Sequence, residues 1–411
     1  MFTGITAAPS RKGTIETVEN VADLEKLRGE WDELLQASAS NSFFLTWEWL
    51  YPWWKHLSGD RKLCLVTLRS GGELIAIAPL AARPRRLVGG LAGRSLEFVG
   101  ADRVCSDYLD LIIRWGKETE AVEALGEYLG REMLTLEMAN LRRTSCLAAA
   151  LAVELEQRGW SPREQTIGVC PFIPLAGHSW ESYLATLGPE HRYNFRRRLK
   201  NVTNASQLRF EQARSPAEAQ AALAGLVALH NMRWQGRGGG SDAFNRSDLI
   251  AFHEEVCRFA LDRGWLRLFL MTMNGRPVAS LYGFLYNRTF YFVQSGFDPA
   301  YGKHSVGLLA MGLAIKSALE EGAEEYDMLG GEEPYKFHWA RETRDLGRLD
   351  LYPPRLSARL DLHTQSMRRA ARTVVRRVLP KTMAERIAIA RRAGVWASLT
   401  QARGRSASEN A

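Results

Sequence analysis

The stretch "GFDPAYGKHSVGLLAMGLAI", Gly296 to Ile315, follows directly on the aromatic run "TFYFVQS". A strand-like segment there breaks into small, polar and glycine residues and at once becomes an apolar helix. The junction admits two readings. One is a plain strand-to-helix turn; the other is a helix start that offers unpaired backbone N–H groups and a positive dipole end to an anion.

Working outward, "QLRFEQA" reads as a strand, "SPAEAQAALAGLVALHNMRW" as an amphipathic helix opened by Ser-Pro, and "QGRGGGSDAFN" as a loop. The helix "SDLIAFHEEVCRFALDRG" follows, then three strands, "WLRLFLMTM", "RPVASLYGFLY" and "TFYFVQSGF", the first two joined by Asn274-Gly275, which suits a type I′ turn. After the quoted stretch come the strand "EEYDML", Gly330-Gly331 and a late strand "LGRLDLY". The order is β-α-α-β-β-β-α-β with a further strand.

The first half repeats this order loosely. "TIETV" is a strand, "VADLEKLRGEWDELLQAS" and "TWEWLYPWWKHL" are helices, and "KLCLVTLRS" with "ELIAIAPLAAR" forms a hairpin about Gly71-Gly72. Strands "SLEFVG" and "DYLDLII", a helix ending at Gly130, the strand "EMLTLEM", a helix near "CLAAALAVELEQRG" and short strands to Leu175 complete it. Two similar α/β units, each with a mixed sheet, are expected at 1–176 and 177–354, with a separate tail at 355–411.

The composition bounds the partners. The 411 residues are 46% hydrophobic, and the N-terminus "MFTGITAAPSRKGTIETV" lacks an apolar signal core. No apolar run approaches the roughly 20 residues of a membrane helix, so the expected location is the cytoplasm. The cysteines Cys64, Cys105, Cys146, Cys170 and Cys257 never form C-x-x-C, which disfavours a zinc knuckle and a disulfide framework. The net charge of +8 resides in the tail: residues 355–411 hold 13 Lys/Arg against 3 Asp/Glu, which leaves 41 against 43 in residues 1–354. A near-neutral body gives no reason to expect DNA as a partner. No G-x-S-x-G elbow or Walker A occurs, and His253-Glu254-Glu255 lacks the second histidine of a zincin, so no metal is expected.

The run "FVQSGFDPAYGKHSVGLLAMGLAIKSALEEGAEEYDMLGGEEPYKFHWA" resembles the C-terminal half of the CelD-like, or BioF2-like, acetyltransferases of the GNAT superfamily, relatives of the FemAB peptidyltransferases. The likeness extends to "FFLTWEWLYPWW", "FVGADRVCSDYLDLII", "LGPEHRYNFRRRLKN" and "LHNMRW", in that order. The resemblance implies tandem GNAT-like domains. It implies acetyl-CoA or another acyl-CoA as co-substrate, and a small-molecule or glycan-precursor acceptor with an amine or hydroxyl, often in cell-envelope polysaccharide biosynthesis. Transfer from aminoacyl-tRNA, as in FemAB enzymes, is the alternative in class. A non-catalytic scaffold of an envelope assembly is the alternative outside it.

In the family, a Q/R-x-x-G-x-G/A turn wraps the donor pyrophosphate, and the strand entering it splays from its neighbour. On this chain the turn falls on Gly302, Lys303, His304, Ser305, Val306 and Gly307, with Gly302 at the Gln/Arg position and Ser305 at the middle glycine. Backbone amides would still form an anion nest, Ser305 would add a hydroxyl, and Lys303 would replace the missing cation. Val293 and Ser295 lie on the splayed strand that orients the thioester.

Asp327 lies in a strand with Tyr326 and Met328 on the other face, so its carboxylate projects toward the acceptor side and holds or deprotonates an acceptor amine, or else caps the turn at Gly330. Tyr335 and Lys336 follow at the same sheet end, with Lys336 either steadying an oxyanion or solvated at the surface. His304 is a candidate base or a solvated turn residue. His230, Arg233 and Trp234 share a helix before the glycine loop, a segment that the resemblance implies lines the acceptor site, and so are expected as acceptor contacts or, for Trp234, as core. Arg192 and Arg196 share a face in a basic cluster where Arg196 binds a phosphate or is merely solvated. The aromatic run Trp47, Trp49, Tyr51, Trp53 and Trp54 is core or a sugar platform.

The tail carries its own pattern. Leu356, Leu360, Met367, Ala371, Val374, Val375 and Val378 recur at helical spacing, with Arg368, Arg369, Arg372, Arg376 and Arg377 largely on the other faces before Pro380. Such a helix packs on the body or lies on an anionic membrane, each cation adding about 1 kcal/mol near the surface; the second case would place the protein at the inner membrane face. The full chain is expected to co-sediment with anionic liposomes in low salt, and a chain truncated after Pro354 is not. Retained binding after truncation, or an unfolded body, would assign the tail to packing.

Overall fold

In a computed structural model of the chain, the described residues are 13–86, 92–101, 104, 106–144, 146–235 and 243–355. The tail helix expected beyond Arg355 lies outside them. The first half runs β1 (Thr14–Val18), α1 (Val21–Lys26), α2 (Arg28–Gln36), α3 (Trp47–Leu57), β2 (Lys62–Leu63), β3 (Leu65–Ser70), β4 (Glu73–Ala78), β5 (Leu80–Arg86), β6 (Ala92–Phe98), β7 (Ile112–Ile113), α4 (Glu118–Glu132), β8 (Thr135–Arg142), α5 (Leu147–Gln157) and β9 (Ser161–Pro174). The second runs α6 (Trp180–Thr186), α7 (Pro189–Ala205), β10 (Leu208–Gln212), α8 (Pro216–Gln235), α9 (Ser247–Asp262), β11 (Leu266–Met273), β12 (Arg276–Tyr286), β13 (Thr289–Phe297), α10 (Val306–Glu320), β14 (Glu325–Asp327) and β15 (Glu342–Tyr352).

The strands form a small sheet, β1-β3-β4-β7, and an 11-stranded mixed sheet, β10-β11-β12-β13-β14-β9-β15-β8-β6-β5-β2. The large sheet runs through both halves because β9 of the first pairs with β14 and β15 of the second, while β15 also pairs with β8. Each half contains a short parallel pair spanned by a crossover helix: β13 and β14 across α10, and β6 and β8 across α4. This recurrence is the tandem arrangement of the fold.

Some elements differ from the sequence expectation. The helix read over Val21 to Ser38 is two helices parted at Leu27. "DYLDLII" keeps only Ile112–Ile113 as strand, because Asp110 turns its carboxylate to the N–H groups of Leu147 and Ala148 and so serves the start of α5. The short strands before Leu175 are one strand, β9, held along its length by β15.

Alternation along β13 divides the core between the two faces of the sheet. Phe290 and Phe292 join the apolar cluster under α10, where Phe290 stacks on Tyr326 at 4.4 Å. Tyr291 joins the other cluster, with Phe43, Phe44 and the fully buried Trp49 and Trp53 of the first half. The tryptophan run is therefore core. Phe43 stacks on Phe284 at 3.9 Å, and Trp49 Nε1 donates to Ser106 Oγ at 2.9 Å, satisfying its polar edge.

Close packing under α10 sets a steric limit at Gly312, where an added Cβ would overlap the Phe195 ring and come within 2.8 Å of Trp339. Alanine favours helix by about 1 kcal/mol over glycine, but overpacking a filled core costs about 1–3 kcal/mol. Gly312→Ala is therefore expected to lower the urea midpoint. A raised midpoint would mean that the two rings yield freely.

Candidate functional site

The site forms where β13 loses its neighbour. Pairing with β14 runs from Thr289↔Glu325 to Tyr291↔Asp327 and stops there, while β13 continues to Phe297. Val293 and Ser295, expected on a splayed strand, lie in this stretch. Ser295 N–H donates to Gln294 Oε1 at 3.0 Å, and Ser295 O accepts from His230 Nδ1 at 3.2 Å. Gln294 thus occupies the Ser295 N–H on this open stretch.

After Phe297 the chain makes a 3-10 turn, Pro299–His304, that carries Gly302, Lys303 and His304. Ser305 stands in the left-handed region at φ +54°, donates its N–H to Gly302 O at 2.9 Å, and begins α10. No side chain among the described residues caps that helix start, which leaves the first-turn N–H groups of Val306 and Gly307 without a side-chain acceptor. Gly307 is close to Phe297: a Cβ there would lie 3.2 Å from its ring. Helix α7 lies alongside, with Arg198 Nη1 donating to Lys303 O at 3.0 Å.

Across the open edge, α8 contributes His230 and Arg233. His230 is buried, which depresses its pKa below the usual histidine value; the bond to Ser295 O opposes the shift and Arg233 adds to it. With Nδ1 donating to a carbonyl, Nε2 is the ring's acceptor nitrogen in the neutral form. The Arg233 guanidinium lies over the rings of Phe297, at 5.0 Å, and Tyr335, at 5.9 Å. It thereby bridges the end of β13 and the loop after β14. Trp234 is in α8, but its side chain lies outside what is described. Arg196 does not reach this region: its exposed guanidinium pairs with Glu181 of α6. His304 ring-packs loosely with Tyr301, at 6.2 Å.

Two candidate residues are more constrained than their sequence context implied. Lys336 is buried, and Nζ donates to Leu329 O at 3.2 Å and Gly330 O at 2.9 Å and lies 3.2 Å from Glu333. This is neither a solvated lysine nor a free oxyanion donor, because its N–H groups hold the turn after β14. Asp327 has no exposed surface. Its Oδ1 accepts from Leu329 N at 2.8 Å, and Oδ2 accepts from Tyr108 OH at 2.7 Å and Arg344 Nη1 at 2.8 Å. Burial pushes its carboxyl up to about 6, against the pull of Arg344 and the Tyr108 hydroxyl.

The sequence reading missed the residues that complete this network. Asp107 Oδ2 accepts from Gly330 N at 2.6 Å and from Cys170 Sγ at 3.7 Å, and burial raises its pKa. Arg344 lies 3.7 Å over the Phe172 ring and also binds Glu325. The one available signal was the run "SDYLDLII", which places two aspartates among apolar residues. Among the described residues no group of three or more His, Cys, Asp or Glu side chains is placed to hold a metal, and no helix is long and apolar enough to cross a membrane.

Residues 189–337 match the family described as acetyltransferase (GNAT) domain. No curated protein matches the chain. The crystal structure of FemX superposes with a TM-score of 0.57 at 12% identity, over 79% of this chain and 95% of that one. The structure of L-PGS from Bacillus licheniformis gives 0.48 at 13% identity, over 81% and 96%. A tandem GNAT protein from the clavulanic acid biosynthesis pathway gives 0.42 at 12%, over 83% and 100%.

The Asp327 network makes stability depend on pH in a defined sense. Its folded pKa, about 6, lies above the ordinary 3.8, so the folded state holds the proton more tightly and Asp327's contribution falls as pH rises through that window. The Tyr108 hydroxyl favours the ionised form and limits that fall. Tyr108→Phe should therefore cost about 1.5–3 kcal/mol at pH 8, where the bond is to a charged group, and about 0.5–1.5 kcal/mol at pH 5. Urea unfolding at the two pH values checks this; equal losses would show that Asp327 does not titrate in this window.

Proposed function

We propose that this chain, which carries a GNAT-superfamily, FemAB-related fold, is an acyltransferase that moves an acyl group from acyl-CoA to an amine or hydroxyl. One observation carries the reading: β13 parts from β14 after Tyr291↔Asp327 and leads directly into the uncapped start of α10. An open strand edge followed by a helix N-terminus offers a thioester and its pyrophosphate adjacent sites. The acceptor nitrogen or oxygen would bond to the thioester carbon, the C–S bond would break, and the acceptor's proton would pass to a base. We assign that role to His230, whose Nδ1 donates to Ser295 O, with the thioester carbonyl oxygen displacing Gln294 from the Ser295 N–H. Asp327 then acts by holding the turn rather than by meeting the acceptor. An envelope-glycan precursor as acceptor rests on the family resemblance alone.

A second reading, transfer from aminoacyl-tRNA, is favoured by the basic helix α7, which carries Arg192, Arg197, Arg198 and Lys200 and touches the turn through the bond from Arg198 to Lys303 O. Thermal shift separates the two. CoA or acetyl-CoA at 100 times its dissociation constant should add about 2.7 kcal/mol to apparent stability. Folded Gly307→Leu should lose that response, because a branched side chain fills the space where a phosphate approaches the backbone; Lys303→Ala should weaken it less. Undiminished CoA affinity in folded Gly307→Leu would remove the turn from the donor site. A response to charged tRNA alone would select the second reading, and no response to either would leave a scaffold.

A further inference from the structure

On the face of the large sheet opposite α10, bordered by Thr289 and Tyr291, a cavity of about 290 Å³ opens between elements of the two halves. That is close to the lower end, roughly 300 Å³, of small-molecule sites. Most charged groups in its wall are already matched. Glu325 accepts from Arg344 through both oxygens, and Arg344 also serves Asp327. Asp110 accepts from the N–H groups of Leu111, Leu147 and Ala148.

Arg142 is the exception. It lines the cavity at the end of β8, partly buried, and among the described residues its guanidinium makes no hydrogen bond and no ion pair. Its side chain lies over the Tyr108 ring, 4.9 Å from the centroid. That contact uses the cation's charge and none of its N–H donors, which form the planar fork that matches a carboxylate or phosphate. The platform beneath it is fixed. Tyr108 OH is bonded to Asp327, and its backbone sits at φ +61°, a conformation that a bulky aromatic residue holds only when its surroundings impose it.

We propose that this cavity binds the anionic group of a small ligand, a carboxylate or a phosphate monoester, through the guanidinium of Arg142 held over Tyr108. The site lies on the other face from α10, and the proposal stands whether or not the α10 turn takes CoA. Calorimetric titration of the full chain with succinate, acetate, inorganic phosphate and glycerol 3-phosphate tests it. Saturable binding of the carboxylates or of the phosphates is expected and identifies the group. Arg142→Gln should weaken that binding at least tenfold and Arg142→Lys by less, since lysine keeps the charge but not the fork. Both variants should keep the wild-type circular dichroism and the wild-type response to CoA, which separates loss of this site from failure of the donor reading. Absence of saturable binding to all four probes, or equal affinity in folded Arg142→Gln, would overturn the assignment.

Discussion

A carboxylate with no access to water must find its donors inside the fold, and Asp327 finds them in three places. Leu329 supplies a backbone N–H two residues on, Arg344 supplies a guanidinium from β15, and Tyr108 supplies a phenol from the first half, 219 residues away in sequence. The nearest bond has the largest geometric effect. By binding the Leu329 N–H, Asp327 bends the chain into the left-handed region at φ +54°, so β14 cannot continue beside β13. The open edge of β13 is therefore a consequence of how one buried charge is satisfied.

The turn that results has backbone groups with no strand to pair them, and side chains do that work. Asp107 takes the N–H of Gly330, and Lys336 takes the carbonyls of Leu329 and Gly330. Burying these charges is costly, and well-packed apolar residues would often be as stable. Apolar residues could not, however, satisfy the N–H and C=O groups of an irregular buried turn. What the charges specify is the path of the backbone between β14 and β15.

Much of the architecture was legible because it is local. The runs of β11 to β13 read as three strands, Asn274-Gly275 marked their first hairpin, and the glycine-rich junction before α10 marked the strand-to-helix turn. Gly302 to Gly307 lies where the sequence placed it, at the start of α10. The polar network was not legible, since a contact between Tyr108 and Asp327 depends on how the halves dock and leaves no periodic trace. Lys336 shows the same limit: the sequence leaves it either steadying an oxyanion or solvated at the surface, and only the three-dimensional fold buries it against Leu329 and Gly330. Strand β9 read as short pieces because much of its first part is exposed, and its partner β15 arrives from the far end of the chain.

The donors of Asp327 also tie the second half to the first. β13 contributes its open edge to one side of the sheet and Tyr291 to the cavity on the other. Asp327 stands between them, bound to a residue of each half. Its position is thus only as well defined as the docking of Phe43 and Phe44 on Phe284 and Tyr291, which seats the first half against β12 and β13. Buried aromatic contacts of this kind are worth about 0.5–1.5 kcal/mol each beyond their area, and they are stiff because interiors are close-packed. Tyr108 reaches Asp327 from the first half across this docking, and Asp327 in turn holds the turn at Leu329. The apolar seam and the polar site are in this sense one mechanical unit.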